Sequence, residues 1–377
     1  MGEKRPVREV VVLGAGLHRY GIFPEIPYVH LGIEACTRAL QDSGVQWSDI
    51  EVGYCAYANL PNAAGHIIAG MMGATGITMT NVENASASGC AAFREAYLAI
   101  ASGAHDVAIA IGVDKLHSYR QTTSSTSKAP TTKAPINTGM MRGFAERARD
   151  HMARYGTTID QMAMVSVKSH RNASFNPYAH FQTPVTLEEV HKARMVADPL
   201  TVLHCCPWDE GGAAVILCAA EIAPRFTSKP CPRVLASACT GFTGSDPLVD
   251  LTQVTAYKAY DLAGVGPEDL NMVEVHDAAT IEEILYYEAL GLCRTGEGGR
   301  LIESGATEIT GKIPVNSSGG LISMGHPIGP TGLGQVAEIL WQMRGEAGGR
   351  QIIQSPRIGL AHMVGAGGVC FIHILGL

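Results

Sequence analysis

The chain has 377 residues, of which 46% are hydrophobic, 17% charged and 43 are glycine. At roughly 100–200 residues per domain, that is two or three units around a large buried core, and it excludes a disordered chain. A formal charge of −7, from 28 basic and 35 acidic residues, argues against a nucleic-acid binder but leaves room for a small anionic ligand on a local basic patch.

The N-terminus MGEKRPVREVVVLGAG is charged and then strand-like, without the apolar stretch of a signal peptide. No apolar run approaches the ~20 residues of a transmembrane helix. A cytoplasmic protein with no membrane or nucleic-acid partner is expected. Ten cysteines include no CxxC pair and sit in apolar segments, so reduced, buried thiols are expected and no metal site.

Glu9–Leu13 is β-rich and leads into Gly14-Ala15-Gly16. The third glycine of a dinucleotide fingerprint is missing, so a buried strand ending in a turn is the better reading. Residues 28–43 have helical spacing closed by Gly44, then an acidic turn and the strand-like VGYCAYA. Residues 251–263 repeat this pattern, with Gly264 closing a helix before the strand-like VEVHDAA. A second pair follows. Residues 82–114 and 315–368 each read as strand, small-residue turn, long helix and buried strand. Two related βαβ-type halves are therefore expected, in an α/β layered fold with apolar strands such as VAIAIGV buried on both faces.

Between the halves, residues 121–138 (QTTSSTSKAPTTKAPINT) read as a mobile loop, and 141–155 and 159–170 as helices. This stretch concentrates Lys128, Lys133, Arg142, Arg147, Arg149, Arg154, Lys168, Arg171, Lys192 and Arg194. Such a cluster in an acidic protein is a candidate for holding phosphates, against the alternative of ordinary solvated helix faces.

Four segments carry candidate chemistry. The turn NASASGCAAF (84–93) leaves the backbone open to a ligand at a helix start, where an anion is stabilised; it offers Ser86, Ser88 and Cys90, or simply caps and packs that helix. His276 and Asp277 end a buried strand in VEVHDAAT (273–280). His326 sits in a loop stiffened by Gly319, Gly320, Gly325, Pro327, Gly329 and Pro330; such a frame places one imidazole for proton transfer. His362 lies in GLAHMVGAGG (359–368), where Gly365, Gly367 and Gly368 could turn backbone N–H groups to an oxyanion. Three histidines and an oxyanion site suit carbon–carbon chemistry beside a carbonyl.

The segments HDA, NSSGGLISMGHPIGPTG and AHMVGAGG resemble the three C-terminal active-site motifs of the thiolase superfamily. SVKSHRNASFNPYAHF, ADPLTVLHCCPWDEGGAAV and EALGLC resemble its sterol-carrier-type and archaeal-type members. The resemblance implies two halves of βαβαβαββ topology in a five-layer αβαβα sandwich, with an inserted loop domain over coenzyme A. The expected division is 1–115 plus 201–225, the insert 116–200, and 226–377. It implies acyl-CoA as substrate, with no covalently bound cofactor, and a homodimer or dimer of dimers. It also implies a small zinc-finger/OB-fold companion subunit, in systems that handle acetoacetyl-CoA, steroid side chains or aromatic acids including benzoylsuccinyl-CoA.

By the same resemblance His326 activates the nucleophile, His276 builds an oxyanion hole with a water, His362 stands at the acid/base position, Gly365 adds a backbone donor, and Cys206 matches a CoA-proximal serine. The first motif departs from the family. Counting from Val82, the acyl-accepting cysteine falls on Ser86, and Cys90 is four residues out of register. A serine hydroxyl is far less acidic than a thiol at a helix start, so little thiolytic turnover is expected. The alternatives are a Cys-to-Ser inactivated thiolase, a retro-aldolase on a β-hydroxyacyl-CoA with no covalent intermediate, and a non-catalytic scaffold.

Overall fold

Short apolar strands buried on both faces must be sandwiched by helices, and this arrangement is seen twice. The computed structural model describes residues 8–116, 138–242 and 249–377. The first half contains β1 (Val10–Gly21), α1 (Tyr28–Ser43), β2 (Val52–Ala56), α2 (Ala64–Met72), β3 (Thr78–Val82), α3 (Ser88–Ala101) and β4 (Val107–Asp114). The intervening segment carries α4 (Thr138–Tyr155), α5 (Ile159–Ala173), α6 (Leu187–Lys192) and the short hairpin β5 (Met195–Ala197) and β6 (Leu200–Thr201). Strand β7 (Glu210–Ala219) then returns to the first sheet. The second half runs β8 (Arg233–Gly241), α7 (Val249–Ala263), β9 (Met272–Glu274), α8 (Thr280–Ala289), α9 (Gly298–Glu303), α10 (Gly320–Ser323), α11 (Ile328–Arg344), β10 (Ile358–Gly365) and β11 (Val369–Gly376).

Among the described residues the strand order is β3-β2-β4-β7-β1-β8-β11-β10-β9. The first five form one half-sheet and the last four another, joined at the pair Val11↔Arg233 and by the Val12 amide donating to the Pro232 carbonyl at 2.9 Å. Within each half the pattern is the same. β2 lies parallel to β3 and β4, and β7 runs antiparallel between β4 and β1. Likewise β9 lies parallel to β10 and to the single bridge at Val315, and β11 runs antiparallel between β10 and β8. Three apolar layers fill the five-layer sandwich. One lies under α1 and α2, one around the central pair α3 and α11, and one under α7, α8 and the insert.

The duplicated helix starts and stops follow from local chemistry. Gly44 takes φ 77° and Gly264 φ 68°, the left-handed conformation that ends a helix at lowest cost in glycine. The reading of Gly14-Ala15-Gly16 as the end of a strand is corrected, because β1 continues unbroken to Gly21. These glycines serve packing instead: a Cβ on Gly16 would lie 2.3 Å from the Ala39 amide nitrogen of α1. Of the expected mobile loop, residues 121–137, with Lys128 and Lys133, lie outside the described residues.

The central helices start side by side. A Cβ on Gly89 would lie 2.6 Å from the Gly329 carbonyl oxygen, and one on Gly332 would lie 2.7 Å from Cys90 Sγ. Only glycine allows this contact, which sets α3 and α11 with their N-termini together. Gly332→Ala is expected to destabilise the chain by about 1–3 kcal/mol through overpacking, measurable by urea unfolding; an unchanged midpoint contradicts this packing.

Candidate active site

The turn before α3 is held by its own small residues. The Ser88 hydroxyl donates to the Ala85 carbonyl at 2.6 Å and accepts the Asn84 amide at 2.8 Å. Ser88 is therefore structural. Ala85 sits at φ 48°, strained for a residue with a Cβ, and presents Ser86 to the cavity two residues ahead of the helix. Cys90 is fully buried against Met363 and Phe371, and burial pushes its thiol far up. It cannot stand in for a nucleophile at position 86.

Ser86 meets His326 directly, Oγ to Nε2 at 3.0 Å. The other ring nitrogen, Nδ1, is 3.0 Å from the Thr331 hydroxyl, which itself donates to the Pro327 carbonyl at 2.6 Å. Thr331 has one proton and spends it on Pro327. It therefore accepts from Nδ1–H, and this network assigns the lone pair to Nε2, facing Ser86. Burial, with His276 adjacent, holds the imidazole well below its ordinary range, so the ring is neutral at pH 7. Thr331→Val removes the hydrogen bond that fixes the tautomer, worth ~1 kcal/mol. A fall in kcat of up to ~10-fold with KM unchanged is expected, read by steady-state kinetics.

His276 lies beyond β9, its ring 5.5 Å from that of His326. The residue is 5% exposed, and neither ring nitrogen has a hydrogen-bond partner. A Glu282 carboxylate oxygen comes within 3.3 Å of Nδ1 but lies off the bonding geometry. A buried imidazole left unpaired in this way is a donor waiting for a ligand oxygen or water. One oxygen of Asp277 accepts the Leu321 amide at 2.6 Å, and the other has no partner.

His362 is the correction. It is adjacent to His276 but faces away from the cavity. Its Nε2 is 2.9 Å from the Thr252 hydroxyl of α7, its Nδ1 faces the His276 amide at 3.5 Å, and its ring packs 4.4 Å from that of Tyr286. Side chains alternate along a strand. Leu360, His362 and Val364 point to the outer layer while Ala361 and Met363 point to the centre, Met363 reaching Ala87 and Cys90. Gly365 is pressed on the Ser86 turn, where a Cβ would lie 2.2 Å from the Asn84 carbonyl oxygen; its neighbour Ala366, rather than Gly365, lines the cavity.

The cavity has a volume of about 550 Å³, within the ~300–1,000 Å³ of ligand sites. Ser86, His276, His326 and Cys206 line it, and the insert supplies much of the far wall, including Met141, His170, Phe181 and Arg194. Burial pushes the Cys206 thiol well up, with Cys205 and Asp277 adding to it. Within the basic cluster of the insert, Lys168 is a core residue paired with Glu283, Arg171 pairs with Glu308, Arg154 with Asp150 and Lys192 with Glu188. Among the described basic residues of that group, Arg194 is the one that lines the cavity.

Three supporting residues went unseen in the sequence. Asp209 accepts the His326 amide at 3.1 Å and pairs with His180 Nδ1 at 2.6 Å, and His180 also lines the cavity. Asp114, ending β4, accepts the Gly329 amide at 2.5 Å and the amides of Ala58 and Asn59 at 3.0 Å. Asp114 anchors the first turn of α11 next to His326, and burial raises its carboxyl to about 6. The available signal was positional: Asp114 and Asp209 are charges abutting long apolar strands, which only a paired acid tolerates.

Both C-terminal motifs that reach the cavity, and the Ser86 turn, thus converge where two helix N-termini meet. That is an environment suited to an enolate or other developing anion. Comparison with known proteins places the chain in a family. Residues 10–221 match the family model "Thiolase, N-terminal domain" and residues 241–376 "Thiolase C-terminal domain-like". The chain is 41% identical to an acetyl-CoA acetyltransferase of Methanothermobacter thermautotrophicus, covering 98% of this chain and 99% of that one. It is 36% identical to the benzoylsuccinyl-CoA thiolase subunit BbsB of Thauera aromatica, over 96% and 95%. It is 33% identical to human sterol carrier protein 2, over 99% and 72%. Among solved structures, an Ltp2-ChsH2(DUF35) aldolase superposes with a TM-score of 0.82 at 21% identity, each chain covered to 99%. The acetyl-CoA acetyltransferase of Bacillus anthracis superposes at 0.71 and 15%, over 99% of this chain and 100% of that one; these two likenesses speak for the fold. With matched regions that together span nearly its whole length, the chain belongs to the thiolase family.

Proposed function

We propose that this chain cleaves or forms the Cα–Cβ bond of a 3-oxoacyl-CoA, with Ser86 taking the acyl group. The observation that carries the reading is the Ser86–His326 pair, with the imidazole lone pair directed at the hydroxyl by Thr331. His276, unpaired and adjacent, holds the thioester oxygen as the enolate forms, and Ala366 completes the lining beside Ser86. The insert covers the pantetheine arm, with Arg194 as a phosphate partner. His362 supports His276 from behind and has no direct part.

A retro-aldol reading draws on Ser86 itself, since splitting a β-hydroxyacyl-CoA needs a base for the hydroxyl and an enolate site but no thiol. A homodimer, through the open outer edge of β3, and a small zinc-finger/OB-fold companion remain part of the proposal; the relative BbsB is itself named a subunit. The test is product analysis. Acetoacetyl-CoA, 3-oxooctanoyl-CoA and benzoylacetyl-CoA are each incubated with the chain, alongside the matching 3-hydroxyacyl-CoAs. Release of a shortened acyl-CoA from a 3-oxo substrate supports the reading. An aldehyde from a hydroxy substrate alone moves it to the aldolase. Neither product, together with no deuterium exchange at Cα, leaves a scaffold.

A further inference from the structure

We infer that water, rather than a thiol, removes the acyl group from Ser86, so that the site hydrolyses a 3-oxoacyl-CoA to a free carboxylic acid and a shortened acyl-CoA. This rests on the preceding reading of Ser86 as acyl acceptor and adds the identity of the second acceptor. The nucleophile is an alcohol, and an oxyester is more stable than the thioester of the same acid, because sulfur conjugates poorly with the carbonyl. Passing the acyl group from Ser86 back to coenzyme A runs uphill. Passing it to water runs downhill.

The geometry needs one proton carrier for the whole cycle. In the first half, the Ser86 hydroxyl proton moves to His326 Nε2 as Oγ bonds to the C3 carbonyl carbon. The C2–C3 bond then breaks, and its electron pair becomes the enolate of the departing thioester, its oxygen facing His276. The enolate carbon takes the proton from His326, giving the shortened acyl-CoA and an acyl ester on Ser86. In the second half, water gives a proton to the same Nε2 and bonds to the ester carbonyl. The C–Oγ bond breaks, and Oγ recovers the proton as the carboxylic acid leaves. One water is consumed, and no redox partner is needed.

Three observations suit this cycle. Nε2 is 3.0 Å from the Oγ it must deprotonate and reprotonate, and Thr331 keeps its lone pair there. The third imidazole of the motifs is turned to the outer layer, so His326 acts on Ser86 without it. Both ring nitrogens of His326 are taken up by Ser86 and Thr331, so neither cavity thiol, Cys205 or Cys206, shares that base with Ser86.

The experiment counts products. Acetoacetyl-CoA, 3-oxooctanoyl-CoA and benzoylacetyl-CoA are each given to the full chain with and without free coenzyme A, and to Ser86→Cys and Ser86→Ala. The expected result is one acid and one shortened acyl-CoA per substrate, at a rate that free coenzyme A leaves unchanged. Ser86→Ala should abolish the acid, and rapid quench should show the acyl mass on Ser86. Ser86→Cys should lower acid formation at least ~10-fold and produce two acyl-CoAs per substrate when coenzyme A is present. Cleavage that requires coenzyme A overturns the inference and leaves the Cα–Cβ reading standing. Thiolysis by Ser86→Cys beside an inert parent chain overturns the inference and also Ser86 as acyl acceptor, leaving only the substrate class of the reading. No cleavage of the three substrates by either form, with both binding acetoacetyl-CoA, overturns the inference and the reading together.

Discussion

His326→Ala is expected to lower Cα–Cβ cleavage by about 10²- to 10⁴-fold, the range of a lost general base. Ser86 would keep its place in the turn but lose the only group among the described residues that accepts its proton. The check is steady-state turnover of acetoacetyl-CoA, with far-UV circular dichroism to confirm the fold; a loss under 10-fold contradicts the assigned role. The pH dependence carries its own signature. Burial and His276 hold His326 well below the ordinary imidazole value, so the base form persists as pH falls past ~6.5, and activity should fall only at lower pH.

Stability has a defined sign here too. A histidine whose folded pKa is depressed binds its proton more readily in the unfolded chain. Its contribution is complete above ~6.5 and is lost as pH drops from there toward the folded value. His362 shifts the same way, and burial takes His204 to about 4 and His373 to about 3. The slope of unfolding free energy between pH 6.5 and 4 should be shallower in His326→Ala than in the parent chain. Equal slopes would show that His326 is not buried as a neutral group.

The second large effect lies behind the site. Lys168→Met is expected to cost about 3–5 kcal/mol, because it strands a carboxylate in the core. Lys168 and Glu283 are both fully buried and paired, and the ammonium also donates to the Val315 carbonyl at 2.9 Å and to the Tyr287 hydroxyl at 3.2 Å. Glu283 in turn accepts Asn316 Nδ2 at 2.7 Å, and Asn316 Oδ1 accepts the Val275 amide at 2.8 Å. The chain of contacts runs from the insert, through α8, to the residue before His276. Urea unfolding reads the loss. Lys192→Met, at an exposed pair with Glu188, serves as the contrast and should shift the midpoint little.

Lys168 also shows where sequence reasoning stops. In the one-dimensional chain it is one cation in a basic stretch, indistinguishable from Lys192 or Arg171. Its partner Glu283 lies 115 positions away, and burial depends on how the insert packs against the second half. The same applies to His362. The motif places it near the site, but a strand sends alternate side chains to opposite faces, and a register difference of one residue separates Met363, facing the centre, from His362, facing Thr252.

The sequence by itself determined the duplicated α/β plan, through paired helix-stop glycines at 44 and 264 and apolar strands with helical spacers between them. It also determined that position 86 carries a hydroxyl and no thiol, and that the glycine- and proline-framed His326 would be fixed in place, since these depend on local backbone chemistry. Only the tertiary structure decided which histidines share a cavity and that Asp209 and Asp114 hold the His326 loop. It alone also decided which nitrogen of His326 meets Ser86. The contacts of His326 with Ser86 and Asp209, and of its loop with Asp114, span 100 or more residues of chain, and they arise when two half-sheets close on the paired starts of α3 and α11, a contact that no local pattern encodes.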